Sequence, residues 1–225
     1  MSAETMQAML RTIEEECLFT GGLTGRYTLH QQIFDAMAAV RREEFVPDEF
    51  KPYAYDNNPL PIGNGQTISQ PFIVALMTDL LEPEPDDTIL EIGTGSGYQA
   101  AVLSQMVRQV YSLEIIPELA QQASHRLRQL GYDRVEVIAS DGSSGLPEHA
   151  PYDGIIVTAA SPRIPEALIE QLSPFGRLVI PVGHPHLPQD LLLVEKSGTK
   201  ITRRSILSVA FVPFTGKMEA DEPDN

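Results

Sequence analysis

Between positions 88 and 106 the chain passes from an apolar run, Thr88-Ile89-Leu90-Glu91-Ile92, through Gly93-Thr94-Gly95-Ser96-Gly97 into a helical pattern. No other stretch constrains the fold as strongly. Glycines at a strand-to-helix junction let the backbone turn sharply and approach a ligand, and they aim the first amides of the helix at the same place. A unit of this kind belongs in a parallel sheet covered by helices on both faces, because parallel strands require crossover connections. The remaining chain repeats the alternation. Strands are expected at 109–115, 135–139, 154–158, 177–181, 191–196 and 201–211, and helices at 98–106, 117–130 and 165–172. Only Ser197-Gly198-Thr199 separates the last two strands, which predicts a hairpin. The expected class is α/β, a doubly wound, mostly parallel sheet with an antiparallel edge hairpin and an N-terminal helical extension.

In that extension Leu29, Ile33, Met37 and Val40 recur at helical spacing and mark a core-facing stripe. Residues 47–70 contain Pro52, Pro59, Pro61, Gly63 and Gly65, too many breakers for regular structure, while Tyr53, Tyr55, Leu60 and Ile62 favour an ordered loop. A helix is expected to start near Pro71, with Ser69 as a candidate cap. Cys17 is expected to be a buried small apolar residue, since one cysteine closes no intrachain disulfide. A single domain is expected over 1–216, divided into a helical and substrate-loop region (1–80) and an α/β core (81–216). The acidic residues 217–225 have little to bury and are expected to be disordered.

Charge narrows the partners. Sixteen basic against 31 acidic residues give a formal net charge of -15, and no Lys/Arg run exceeds the pairs Arg41-Arg42 and Arg203-Arg204, so nucleic acid is not expected as a partner. No apolar run approaches the roughly 20 residues of a membrane helix. The start, Met1-Ser2-Ala3-Glu4, lacks the basic-then-apolar pattern of a secretory signal, so a cytoplasmic address is expected. A monomer without membrane attachment is the corresponding expectation. His184 and His186 stand two apart without a third ligand nearby, and no metal is expected.

Residues beyond the glycine turn constrain the ligand it could hold. A dinucleotide fingerprint would need glycine at position 98, which is Tyr98, and a nicotinamide oxidoreductase is thereby disfavoured. Glu114 ends the next strand, 21 residues past Gly93, where a carboxylate can accept from both hydroxyls of a ribose. Asp141-Gly142 closes the third strand at the same sheet edge, where it reads either as an acceptor for an adenine amino group or as a plain turn. An acidic residue followed by G-x-G-x-G resembles motif I of the class I methyltransferases, in which S-adenosylmethionine lies over the turn.

Upstream, Pro61-Ile62-Gly63-Asn64-Gly65-Gln66-Thr67-Ile68-Ser69-Gln70-Pro71 resembles the signature of the protein-L-isoaspartate O-methyltransferases. Phe45-Val46-Pro47, Ala54-Tyr55-Asp56, residues 90–101, 153–160 and 178–183, and Phe211-Val212-Pro213 extend the likeness over 29–216. The resemblance implies a Rossmann-like class I methyltransferase fold, S-adenosylmethionine as cofactor and S-adenosylhomocysteine as product. It implies methyl transfer to the free α-carboxylate of L-isoaspartyl residues in damaged proteins and peptides, giving an ester that closes to a succinimide. It assigns Ser69 to the substrate carboxylate as the catalytic residue, with Ile62, Gln66, Val212 and Pro213 on the substrate side. It assigns the cofactor to Gln66, Thr67 and Ile68, to Glu91, Gly93, Thr94, Gly95, Ser96 and Gly97, and to Glu114, Ile115, Asp141, Gly142 and Thr158. The chain departs from the family pattern at Phe214, at Ala210 where many bacterial relatives carry arginine, and at Ser143 where an aromatic residue is common.

A carboxylate nucleophile is ionised at neutral pH, so this chemistry needs no general base. Its demands are alignment and removal of water, and a hydroxyl suits both because it orients a carboxylate without gripping it. Residues 211–214 and 59–66 are expected to wall the peptide site and hold the substrate by its backbone. The alternative is a class I methyltransferase for a small carboxylate or hydroxyl metabolite, which would not require the signature from Gln66 to Pro71.

Overall fold

Every residue of Thr88–Ile92 is buried, which requires a sheet covered on both faces. The computed structural model describes residues 3–184, 187–214 and 216. In chain order, α1 (Ala3–Thr24) and α2 (Gln31–Ala39) precede two 3-10 turns, Arg42–Phe45 and Asp48–Tyr53, and a small hairpin, β1 (Leu60–Gly63) and β2 (Gln66–Ile68). Next come α3 (Pro71–Leu81), β3 (Thr88–Ile92), α4 (Tyr98–Leu103), β4 (Gln109–Glu114), α5 (Pro117–Gln129) and β5 (Val135–Ala139). The last elements are β6 (Tyr152–Val157), α6 (Glu166–Glu170), β7 (Leu172–Val182), β8 (Gln189–Ser197) and β9 (Lys200–Val209).

The larger sheet runs β5-β4-β3-β6-β7-β8-β9, parallel from β5 through β7 and antiparallel from β7 through β9. The expected hairpin of β8 and β9 is present. The antiparallel portion is wider than expected, because residues 183–188 are too few for a crossover helix and β7 pairs antiparallel with β8 as well.

Several boundaries move for identifiable reasons. The helix expected at 165–172 is only Glu166–Glu170, since Leu172 is buried and already pairs with Tyr152 as the first residue of β7. Helix α4 stops at Leu103, where Ser104 Oγ donates to the Ala101 carbonyl at 2.7 Å and competes with the helical pattern. The stretch 47–70 is ordered, as expected, yet it contains regular structure. Asn64 and Gly65 have φ of 52° and 71°, the geometry of a tight hairpin turn, and join β1 to β2.

All residues of α3 are buried, as befits a helix that is apolar all round. It lies between the sheet and an outer layer of α1 and α2, and Met9, Ile13, Cys17, Ile33 and Met37 belong to the same core. Cys17 is buried, as its small apolar character predicts. Among the described residues no helix is long and apolar enough to cross a membrane. The expected disorder of 217–225 and the placement of His186 lie outside the described residues.

A buried carboxylate ties the outer layer to α3. Asp79, fully buried, accepts from the His30 amide at 2.8 Å, and its Oδ1 lies 2.8 Å from His30 Nδ1. Its Oδ2 lies 3.0 Å from Arg26 Nε, an ion pair without the alignment of a hydrogen bond. Arg26 and Arg177 also bracket Glu82, each at 2.7 Å, so the network reaches β7. Removing the acceptor leaves the partly buried His30 amide and Arg26 without their partner on α3. Asp79→Ala is therefore expected to cost about 3 kcal/mol of unfolding free energy in urea denaturation. A loss below about 1 kcal/mol would mean that apolar packing alone holds the N-terminal layer.

Candidate functional site

Strand β3 has β4 on one side and β6 on the other, so the chain leaves it in opposite directions and a crevice opens at the carboxyl ends. The glycine turn sits there. Gly93 has φ 97°, and a Cβ at this position would lie 2.5 Å from Thr158 Oγ1. The Thr158 hydroxyl donates to the Gly93 carbonyl at 2.6 Å, so the end of β6 clasps the turn and only glycine fits. Gly142 approaches as closely from the β5 side, where a Cβ would meet Ile92 Cγ2 at 2.3 Å.

Glu114, at the end of β4, is nearly buried and fixed at both oxygens. Oε2 accepts from the Gly95 amide at 2.8 Å and Oε1 from the Ile116 amide at 3.0 Å. Each oxygen retains a lone pair for a ligand. Glu114, Ile115, Gly93, Gly95, Gly142, Gln66, Thr67, Thr158, Val212 and Pro213 all line one open cleft of about 550 Å³. Thus most of the expected cofactor residues come together. A second notch takes in Thr67, Ile68, Ser69, Thr94, Ser96 and Thr158. Gly97 opens α4 beneath it at φ 89°.

Two of the expected acids stand back from the cleft. Glu91 lies behind the glycine turn, where Ser112 Oγ donates to its Oε2 and pairs at 2.6 Å with Thr94 Oγ1. Its Oε1 has no partner among the described residues. Burial above all, and Glu114 in addition, push the Glu91 carboxyl up to about 8 against the pull of Ser112, so it is neutral at pH 7. Asp141 accepts from the Ser143 amide at 2.9 Å and caps the turn Gly142–Ser144, while its neighbours Ser140 and Gly142 line the cleft.

A larger open groove of about 1630 Å³ adjoins the cleft, and Thr67, Thr158, Val212 and Pro213 border both. Glu16 and Thr20 of α1 form one wall, residues 187–189 and 207–213 another, and Ser69, Gln70, Phe72 and Ile73 line it at the start of α3. Ser69 lines both groove and notch, and its hydroxyl has no hydrogen-bond partner among the described residues. It does not cap α3 as the sequence suggested. The cap position is Gln70, without a side-chain bond; Pro71 at the first turn has no amide, and the Phe72 amide donates instead to Asn57 Oδ1 at 3.0 Å. Ile62 extends from β1 over the turn, 3.3 Å from where a Cβ of Gly95 would lie.

The cleft also uses Leu113, Ile116, Ser140 and Ala159, which the sequence did not single out as cofactor residues although each adjoins one that it did, and Phe214, which follows the expected substrate residue Pro213. Gln189 gave no signal at all. Buried at the start of β8, its Oε1 accepts from the Phe211 amide at 2.8 Å and its Nε2 donates to the Leu187 carbonyl at 2.5 Å. With the Ala160 amide donating to the Val212 carbonyl at 2.8 Å and the Phe214 amide to the Ala160 carbonyl at 2.7 Å, it fixes the extended wall beyond β9.

Comparison with known proteins agrees with this geometry. A family model described as protein-L-isoaspartate(D-aspartate) O-methyltransferase matches residues 14–219. Protein-L-isoaspartate O-methyltransferase 2 of Nitrosococcus oceani is 58% identical, covering 94% of this chain and 96% of that protein. The protein-L-isoaspartate O-methyltransferase of Methanopyrus kandleri is 48% identical, covering 88% and 90%. A solved protein-L-isoaspartate O-methyltransferase superposes with a TM-score of 0.83 at 26% identity, over 95% of this chain and 67% of that one. For the fold alone, a putative Plasmodium falciparum protein-L-isoaspartate O-methyltransferase solved with S-adenosyl-L-homocysteine gives 0.72 at 22% identity, over 91% and 97%.

The buried acid makes a testable contribution to stability. Glu91 titrates near 8 in the fold against about 4.5 when exposed, so between those values the native state holds a proton that the unfolded chain has released. Stability is then full below the lower value and falls as pH rises toward 8, levelling off beyond it. Glu91→Gln keeps the shape and stays neutral. Relative to wild type the variant is expected to gain on the order of a few kcal/mol in chemical denaturation between pH 5 and pH 9. Parallel pH profiles would show that the wild-type carboxyl is ionised in the fold.

Proposed function

The chain belongs to the protein-L-isoaspartate(D-aspartate) O-methyltransferase family, and from that premise we propose how its cleft and groove divide the work. The activity is methylation of the free α-carboxylate of L-isoaspartyl residues in damaged proteins and peptides. The cleft is the S-adenosylmethionine site and the groove is the peptide site. The observation that carries this division is Ser69, whose unpartnered hydroxyl stands where groove and notch meet.

The residues present fit the cofactor. Bare backbone at Gly93 and Gly95 allows close approach, and the Glu114 carboxylate, held by two amides, is set to accept from a pair of ribose hydroxyls. Ile115, Ile116, Ser140 and Gly142 suit an adenine ring, and Thr94, Ser96, Ile68 and Gln66 suit the amino-acid end. When bound, S-adenosylmethionine supplies the methyl group. Glu91 serves this site indirectly, by fixing Ser112 and through it Thr94.

On the substrate side, Ser69 donates to one oxygen of the carboxylate and orients the other toward the cleft. Thr67 and Thr158 narrow the passage between the cavities, and Phe72, Ile73 and Val212 exclude water from the attacking oxygen. The fixed backbone of 210–213 and Ile62 on the hairpin hold the peptide without demanding particular side chains. The ester product closes to a succinimide, and its hydrolysis returns some normal aspartate.

Labelled methyl from S-adenosylmethionine should pass to an isoaspartyl peptide and not to its aspartyl twin; equal transfer to both would sink the substrate assignment. Ser69→Ala is expected to lower kcat roughly tenfold to a hundredfold while leaving cofactor affinity unchanged, and Ser69→Thr to fold normally yet stay impaired by crowding. A wild-type rate in Ser69→Ala would mean that backbone groups position the carboxylate. Glu114→Ala should weaken cofactor binding by roughly tenfold to a hundredfold in titration calorimetry, with folding checked by circular dichroism. Unchanged affinity in a folded variant would remove Glu114 from the ribose.

A further inference from the structure

Helix α1 satisfies its core with one stripe, Met9, Ile13 and Cys17, and yet leaves large apolar side chains in water. Phe19 is 88% exposed and Leu23 70%. On a helix, residues three and four apart are neighbours. Phe19 therefore adjoins Glu16, and Leu23 adjoins both Phe19 and Thr20, while Glu16 and Thr20 are the α1 wall of the groove. The pair thus prolongs that wall outward. Single exposed apolar residues are ordinary, but a paired patch continuous with a binding groove marks an interaction surface.

Charge narrows what can lie on it. Glu14-Glu15-Glu16 stand within a few residues of Phe19, and the chain carries a net charge of -15. A second copy docked on this face would bring two acidic runs together, which like-charge repulsion opposes. A polypeptide with apolar and basic residues meets no such penalty. A damaged chain that has lost packing presents apolar side chains that a folded one buries.

We propose that Phe19 and Leu23 form an outer docking strip for the substrate polypeptide, which takes an apolar side chain next to a lysine or arginine some residues away from the isoaspartyl site. The strip rests on the reading of the groove as the peptide site. It makes the enzyme favour long, unfolded substrates over short ones, because the strip adds affinity without touching the reacting groups.

The test compares a short isoaspartyl peptide of about eight residues with two peptides lengthened by about ten residues, one at each end, carrying Leu, Phe and Lys. With wild-type enzyme at least one extended peptide is expected to show a KM lower by roughly fivefold to thirtyfold at similar kcat. Phe19→Ser/Leu23→Ser should abolish that preference and leave the short peptide's kcat and KM unchanged. Both side chains are mostly in water, so its melting temperature should match wild type. The strip is overturned if wild type has no preference, if the double variant retains it, or if the short peptide suffers equally. It is also overturned if light scattering finds a wild-type dimer that the substitutions dissolve. Failure of wild type to methylate any of the three peptides would overturn the groove reading, and the strip with it.

Discussion

The clasp of Thr158 on the Gly93 carbonyl is the contact on which the site depends. It joins the ends of β3 and β6, the two strands between which the sheet changes direction, and it leaves no room for a Cβ at position 93. A side chain there would push β6 away from the turn. That shift would carry Thr158 out of the boundary it forms between cleft and groove. Sheet geometry, cleft and groove are therefore set by one close approach between two backbones.

Behind the turn, polarity is arranged so that no charge is buried there. A fully buried Glu91 would be costly as a carboxylate, and its surroundings keep it protonated at neutral pH. Glu114, by contrast, is given two backbone donors and an open side. Two carboxyl groups at the ends of adjacent strands thus receive opposite tasks. One is neutral and props the turn through Ser112; the other faces the open cleft.

Much of this was legible in the sequence. The run from Thr88 to Gly97 announced a central strand and a glycine turn, and spacing put Glu114 at the same sheet edge, because both depend on local backbone geometry that residue types dictate. The hairpin of β1 and β2 was harder, since its prolines and glycines outweighed the Asn64-Gly65 turn signal lodged among them. The orientations of Glu91 and Asp141 were not legible. A strand-end acid can point into a cleft, take a donor from the neighbouring strand as Glu91 does from Ser112, or cap its own turn as Asp141 does at Ser143, and residue type alone does not choose among them. Gln189 could not be foreseen for the same reason, as its value lies in reaching Phe211, a partner distant in sequence.

The position of the hairpin over the glycine turn depends in turn on a buried cation. Arg42, fully buried, donates to the Ala54 carbonyl at 2.7 Å and toward the Asn58 carbonyl at 3.3 Å, and its guanidinium lies 5.0 Å from the centre of the Tyr98 ring. Burial lowers its pKa to about 10, which still leaves it charged at neutral pH. A charge held there is satisfied only while the loop from Ala54 to Asn58 keeps its carbonyls in place. Asn57, within that loop, accepts from the Phe72 amide at 3.0 Å and donates to Glu16 of α1 at 3.3 Å. The loop that leads into the hairpin is thereby fixed to the start of α3, beside Ser69, and to the α1 wall of the groove. The groove is organised from the N-terminal layer, just as the cleft is organised from the sheet.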